Sequence, residues 1–434
     1  MKKNIQLPYI GIALLLVILL DLFLINGMRQ KEVQTQTSIE SKMPSGNYLP
    51  DSENPLIRVV IKNNGFKEIT HNEVQVCAEN GLIIAYGKDQ IEIMPGEVFS
   101  VAPGDLKFQN GNILIETKVE TDRIEIRTLS RGCGIPSYRG IMELFPTAEG
   151  IVIVNEIPLE EYLYAVVPSE MPASYESEAL KCQAICARSY AYCQMFAFAY
   201  PEYSAHVDDS TSFQVYGNSR EQESTKRALQ ETAGEKLYYK NQVIKTYYYS
   251  TSCGYSTSVE AWGTKLTDEN AYLQGGSLCD ENGKAYEEKL PWFRWKAVIS
   301  KQTLENLIEL NAGKEIGTLQ DVSVTKVGVG GIALQIMAKG TKGSITVDTE
   351  NKIRKVLGGS GYKIEKQDGT VIESTKLLPS AFFSIEKNGE NYIIKGGGYG
   401  HGIGMSQNGA QEMAKDGINY KEILQIFYPG TEVK

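Results

Sequence analysis

Three short stretches carry the residue types that chemistry needs. In "PSEMP", Pro168–Pro172, a single carboxylate, Glu170, stands between two prolines with no His, Cys or second acid within two residues. Proline fixes its own φ and pushes the preceding residue out of the α region, so this acid sits at a stiff corner just before an Ala-rich apolar segment. A carboxyl held there is partly desolvated. Desolvation favours the neutral form, which is the form a general acid requires. The competing reading is a carboxylate that favours a helix N-terminus, worth a few tenths to about 1 kcal/mol. Both are open from the residues alone. In "GGGYGHGIGMSQNGAQ", Gly396–Gln411, glycines crowd both sides of His401 and let backbone approach another surface or a ligand, unless they form only a plain turn. No Lys-Ser/Thr follows and the spacing does not suit a dinucleotide fold, so this is not a nucleotide loop. "STSCGYST", Ser250–Thr257, is a second polar, Gly-punctuated strand end. Ser252 or Ser406 as a nucleophile would need a positioned His and Asp, and no nucleophile elbow is present.

The elements around these stretches read as α+β. From Ile57 onward, "IRVVIK", "EVQVCA", "LIIAYG", "QIEIM" and "RIEIRTL" alternate between Gly, Asn and Asp turns as strands do. "YRGIMELF" and "GIVIVNEIPLEEYLYAVV" are expected to continue the strand pattern. One strong helix follows over Leu180–Phe198, with Cys182, Cys186 and Cys193 along one face. Three thiolates on a stripe could hold a metal, but a helix that must bury that face uses cysteine as a small apolar residue. A polar interval from Pro201 to Gly217 holds His206, Asp208 and Asp209. "EKLYYKNQVIKTYYYSTS" reads as a hairpin broken at "NQ", and "SKQTLENLIELNAG" as a helix inside an insertion over about 292–378.

The first 27 residues combine a basic "MKKN" with an apolar run interrupted by Asp21, long enough to cross a bilayer. No small-x-small cleavage site follows, so an uncleaved anchor is expected, with its N-terminus cytoplasmic and the bulk of the chain outside. Residues 28–54 are polar and aperiodic and read as a flexible tether. A formal net charge of -9 gives no sign of nucleic-acid binding. The 25 Tyr residues suit a sugar-contacting surface or, equally, ordinary sheet packing.

Four blocks in fixed order, "YRGIMEL…VNEIPLEEYLYAVVPSEMP", "EALKCQAICARSYA", "QVYG…YYYSTSCGYSTSVEAWG" and "GGGYGHGIGMSQNGAQEMAKDGINYKEILQIFYPGT", span about Tyr138 to Thr431. On them the chain resembles the stage II sporulation protein D family of lytic transglycosylases, with its amidase-enhancer relatives. The resemblance implies a mostly β extracellular catalytic domain over 136–434, with one principal buried helix at the active site. A small β-rich region over 55–135, the tether and the single membrane helix precede it. It implies cleavage of peptidoglycan glycan strands to a 1,6-anhydro end during septal wall remodelling and engulfment. The protein would then face the intermembrane space from the mother-cell membrane, with a cell-wall amidase and other sporulation membrane proteins as partners. The family's "EMP" glutamate corresponds to Glu170, the catalytic acid. Arg188, Gln214, Tyr216, Ser252, Tyr255, His401, Ser406 and Gln407 correspond to positions that line or support the glycan groove. Some members bind zinc just before "QVY". Ser212 and Phe213 stand at the nearest positions here with only His206 nearby, so no metal or other cofactor is expected. Cys253 and Cys279 correspond to a cysteine pair that is either a disulfide or two core thiols. The alternative function is a non-catalytic module that binds peptidoglycan and activates a partner amidase.

Overall fold

The computed structural model describes residues 54–434; the expected anchor and nearly all of the tether lie outside the described residues. No described helix is long and apolar enough to cross a membrane. The described chain is α+β, strands outnumbering seven helices: α1 (Leu159–Glu170), α2 (Ser177–Gln194), α3 (Glu223–Glu231), α4 (Lys301–Ala312), α5 (Glu350–Leu357), α6 (Gln407–Lys415) and α7 (Tyr420–Phe427).

An eight-stranded sheet runs in the order Val207–Asp208, Leu56–Ile61, Gly150–Pro158, Ile141–Thr147, Ile113–Thr117, Leu82–Tyr86 and Asp89–Ile93, with Thr70–His71 also pairing Gly150–Pro158. Strands from both sides of residue 135 therefore share one sheet. They also share one core, in which Ile57, Ile84 and Ile115 pack with Tyr162, Val166, Ala184 and Tyr216. A second core lies under a five-stranded sheet built on Trp295–Ser300 and Asn391–Gly396. In Trp295–Ser300 the buried residues Trp295, Ala297 and Ile299 alternate with exposed Lys296, Val298 and Ser300, as a half-buried strand requires. Helix α4 begins at Ser300, whose side chain accepts from the Thr303 N–H, and ends at Gly313 with φ 64°.

Three expectations need correction. The segment read as strand through "LEEYLYAVV" is strand only to Pro158 and then becomes α1. Pro158 enters the helix with its φ already near the helical value, and Glu160 and Glu161 complement the positive end of the first turn. Leu163, Val166 and Val167 are buried on its inner face, about 1.5–3 kcal/mol each, which outweighs the weak helix propensity of the valines. The following helix spans Ser177–Gln194, three residues earlier at its start than expected and four shorter at its end. The hairpin turn falls on Lys240 and Asn241, both at positive φ, one residue before the expected "NQ".

Arg188 of α2 is fully buried and joins the two helices. Its guanidinium donates to both carboxylate oxygens of Glu160 at 2.6 and 2.8 Å and to the Glu235 carbonyl at 3.1 Å. Because Glu160 is partly exposed, removing the cation leaves an acid that water can reach. Arg188→Met should therefore cost on the order of 2–3 kcal/mol rather than more. Denaturant unfolding of the full chain in detergent checks this, and an unchanged midpoint would contradict the role.

Candidate active site

Glu170 is the last residue of α1, not a residue at a helix entrance. The corner comes from Pro168 in the last turn and from Met171, which leaves the helix in extended conformation. The reading of Glu170 as a carboxylate favoured by a helix N-terminus is thus overturned. It stands at the negative end of the α1 dipole, where a carboxylate is disfavoured. Helix α2 starts only at Ser177.

The Glu170 side chain is partly buried and has two donors. Its Oε1 accepts from the Val215 N–H at 2.6 Å, and the Tyr248 side chain hydrogen-bonds to the carboxyl. Burial nonetheless raises its pKa from 4.5 to about 7, more than these hydrogen bonds lower it. Tyr162, Tyr190 and Tyr248 lie close enough to feel its charge. At neutral pH this carboxyl is poised between acid and base, the requirement for a group that gives a proton and then takes one.

Three of the eight remaining expected residues, Gln214, Gln407 and His401, hold this arrangement. Gln214 donates to the Tyr248 hydroxyl at 3.1 Å and to the Ala187 carbonyl at 3.3 Å, which fixes the tyrosine that meets the acid. Gln407 donates to the Glu170 backbone carbonyl at 2.9 Å and to Gln183 Oε1 at 3.2 Å. His401 Nδ1 accepts from the Ile403 N–H at 3.1 Å, so Nε2 carries the proton and donates to the Tyr248 carbonyl at 3.0 Å. Burial lowers the His401 pKa to about 4, so the ring is a neutral strut at physiological pH. A short parallel pairing of Tyr248–Tyr249 with Met405–Ser406 brings the two motif blocks together.

Other expected residues lie behind or beside the acid. Arg188 has no exposed surface, and Tyr216 is buried between Tyr138 and Tyr162 with its hydroxyl donating to Asn155 Oδ1 at 2.7 Å. Neither can touch a strand; both support the frame. Tyr255 is 44% exposed and packs against Gly330 rather than beside Glu170. Asp208 accepts from Tyr200 and Ser210, and Asp209 from Arg131 and the Lys62 N–H, so both acids are committed to the sheet edge.

Ser252 and Ser406 converge on a residue that no motif marked. Glu287 is buried; it accepts from the Ser252 N–H at 2.9 Å, from the Ser406 hydroxyl at 2.8 Å and from the Ser252 hydroxyl. It sits in "AYEEKLPW", which reads as an ordinary charged loop. Tyr248 was likewise hidden in "TYYYSTS", where alternation hides which ring faces inward.

The cysteines of α2 each meet a different element. Cys182 faces the Tyr420 carbonyl, Cys186 the Tyr428 hydroxyl and Cys193 the Val243 carbonyl. All seven cysteines are unbonded thiols, Cys253 and Cys279 included. Ser212 and Phe213 do not provide the soft ligands that a zinc ion takes, and no three His, Cys, Asp or Glu side chains converge among the described residues.

Burial raises the Glu287 pKa to about 7. A carboxyl whose folded value lies above its unfolded value lowers stability as pH rises through the interval between them. Relative to wild type, Glu287→Gln should therefore gain stability between about pH 4.5 and pH 7, by up to roughly 3 kcal/mol. Melting curves at pH 5 and pH 8 test this; a constant difference would contradict it.

Residues 147–239 match the family model described as SpoIID, stage II sporulation protein, and residues 264–404 match a domain of unknown function (DUF8618). Stage II sporulation protein D of Bacillus subtilis is 31% identical over 296 residues, which is 64% of this chain and 75% of that protein. An uncharacterized protein of Brachyspira hyodysenteriae is 31% identical over 68% of this chain and 72% of its own length. The amidase enhancer of Bacillus subtilis is 30% identical over 62% of this chain, but the match covers only 40% of that protein. With three quarters of stage II sporulation protein D covered at this identity, and the four motif blocks folded around a single acid, the chain belongs to the stage II sporulation protein D and amidase-enhancer family.

Proposed function

We propose that this protein is a lytic transglycosylase that cleaves the bond between N-acetylmuramic acid and N-acetylglucosamine in peptidoglycan. The observation that carries this reading is Glu170, a lone carboxyl whose pKa of about 7 is set by burial and whose position is fixed from three elements. Hydrolytic glycosidases use two carboxyl groups, one for the leaving oxygen and one for water or the sugar. Here the neutral Glu170 gives its proton to the glycosidic oxygen as the C1–O bond breaks and its electron pair goes to that oxygen. The 6-hydroxyl of the muramic sugar then bonds to C1 and returns its proton to the Glu170 carboxylate. The ring closes as a 1,6-anhydro end, no water is consumed, and the acid is regenerated.

The reading extends to place and partners. The apolar segment before residue 28 would anchor the enzyme with its N-terminus in the cytoplasm. The catalytic region would then face the space between mother-cell and forespore membranes, where septal wall is remodelled during engulfment. The name of one relative, amidase enhancer, supports a second reading in which the chain binds peptidoglycan and activates an amidase. Mass spectrometry of muropeptides separates the two, because only the first yields anhydro ends from the purified chain alone.

Glu170→Gln keeps the shape of the side chain but removes its acid–base chemistry. It should reduce the rate of anhydro-end formation by about 10³–10⁴-fold with little change in melting temperature. A folded variant cleaving at near wild-type rate would refute the assignment. Because the proton-bearing form is lost above the pKa of about 7, kcat/KM should fall on the alkaline side of neutrality. A profile flat from pH 6 to pH 9 would contradict the assigned acid.

A further inference from the structure

Arg294 stands at the entry to the strand Trp295–Ser300, within the segment matched by a domain of unknown function. Its Nη1 donates to the carbonyls of Phe293 at 2.7 Å and Cys253 at 3.0 Å, and its guanidinium carbon lies 4.0 Å from the centroid of the Phe293 ring. These contacts use one nitrogen and one face. The edge formed by Nε and Nη2, which can grip a carboxylate through two parallel hydrogen bonds, has no partner among the described residues. The side chain is exposed yet pre-organised, which reduces the ordering cost of a ligand.

The same guanidinium lines two adjoining clefts of about 450 and 350 Å³, both of which also include Lys395. Lys296 and Lys366 add positive charge to the larger one, against the single acid Glu365. Lys395 is partly offset by Glu386 at 2.8 Å. Gly330 and Gly397 line the smaller cleft, and neither position has room for a side chain. A Cβ at Gly397 would meet Cys253 Cβ at 2.7 Å and Arg294 Nη1 at 3.1 Å, and one at Gly330 would meet Tyr255 Cβ at 2.6 Å. Aromatic faces flank the cations: Tyr255 and Tyr399 are 44% and 41% exposed, and Trp292 packs 4.7 Å from Tyr399 under the Lys366 ammonium. Cys253 lies five residues beyond Tyr248, so at most about 18 Å of chain separates this cleft from the residue that bonds Glu170.

We propose that this cleft is a carboxylate-binding subsite for the glycan strand, with Arg294 gripping the carboxylate and Tyr255 and Tyr399 carrying sugar faces. The proposal rests on the glycan-cleaving reading of Glu170 and adds to it a subsite in a segment of unassigned role. Two groups on such a strand supply the carboxylate: the lactyl group of a muramic sugar without its peptide, or a carboxylate of an attached peptide.

Isothermal titration of the full chain in detergent, carrying Glu170→Gln, tests it with five probes: peptide-free strands and peptide-bearing strands, each with native and with amidated carboxyls, and neutral chitin oligomers of equal length. Amidation should weaken peptide-free strand binding by about 10-fold or more. Arg294→Ala should weaken the carboxylate-bearing strand by a similar factor and leave chitin oligomers unaffected. Dependence on Arg294 confined to peptide-bearing strands would assign the carboxylate to the peptide. Equal affinity for native and amidated strands in both forms would overturn the subsite, a comparison that needs no Arg294 variant. Loss of chitin binding in parallel with strand binding on Arg294→Ala would overturn it too. A wild-type chain that yields no anhydro ends from the strands it binds would instead refute the glycan-cleaving reading and leave the carboxylate comparison intact.

Discussion

The site depends on keeping one carboxyl out of water without giving it a cation. Glu170 ends a helix whose dipole opposes its charge, beneath a cluster of tyrosines, with a backbone N–H and a phenol as its donors. A lysine or arginine in the same place would hold the group ionised and remove it from proton transfer at neutral pH. The surrounding hydrogen bonds run to neutral partners: Gln407 on the Glu170 carbonyl, Gln214 on Tyr248, and neutral His401 on the Tyr248 carbonyl.

Charge is admitted only one layer further out. Arg188 is tied to Glu160, Arg131 to Asp209, and Arg58 to Glu143 and Glu156. These pairs fix the sheet and the two helices that present the acid. Glu287 is the exception, a buried acid whose hydrogen-bond partners are a backbone N–H and two hydroxyls. By holding Ser252 and Ser406 it joins the strand after Tyr248 to the start of α6, and so brings the two motif blocks to the same place.

Where local rules acted alone, the elements could be read from the chain. Helix α4 has a serine cap, an apolar stripe and a closing glycine, and the outer strands alternate cleanly. Helix α1 could not be read this way. Its "YAVV" run favours strand by propensity, and its Pro168 argues against helix, yet burial of Leu163, Val166 and Val167 decides the outcome. That error displaced Glu170 from the end of one helix to the start of the next. Two prolines marked Glu170 and a glycine-rich block marked His401, Ser406 and Gln407, but it was the family resemblance that gave these residues their expected roles. Glu287 and Tyr248 had no such marker: their roles exist only once segments 119 and 153 residues apart in the chain are brought together. Arg188 and Tyr216 were marked, but as groove residues, because burial cannot be read from a motif.

The central claim is that Glu170 is largely neutral near pH 6 and titrates around pH 7. Carbon-13 NMR of the full chain in detergent, labelled at glutamate carboxyls, measures this directly, with Glu170→Gln identifying the resonance by its loss. A Glu170 midpoint near 7 is the predicted result. A midpoint of about 4.5, the value of an unperturbed glutamate, would contradict the account.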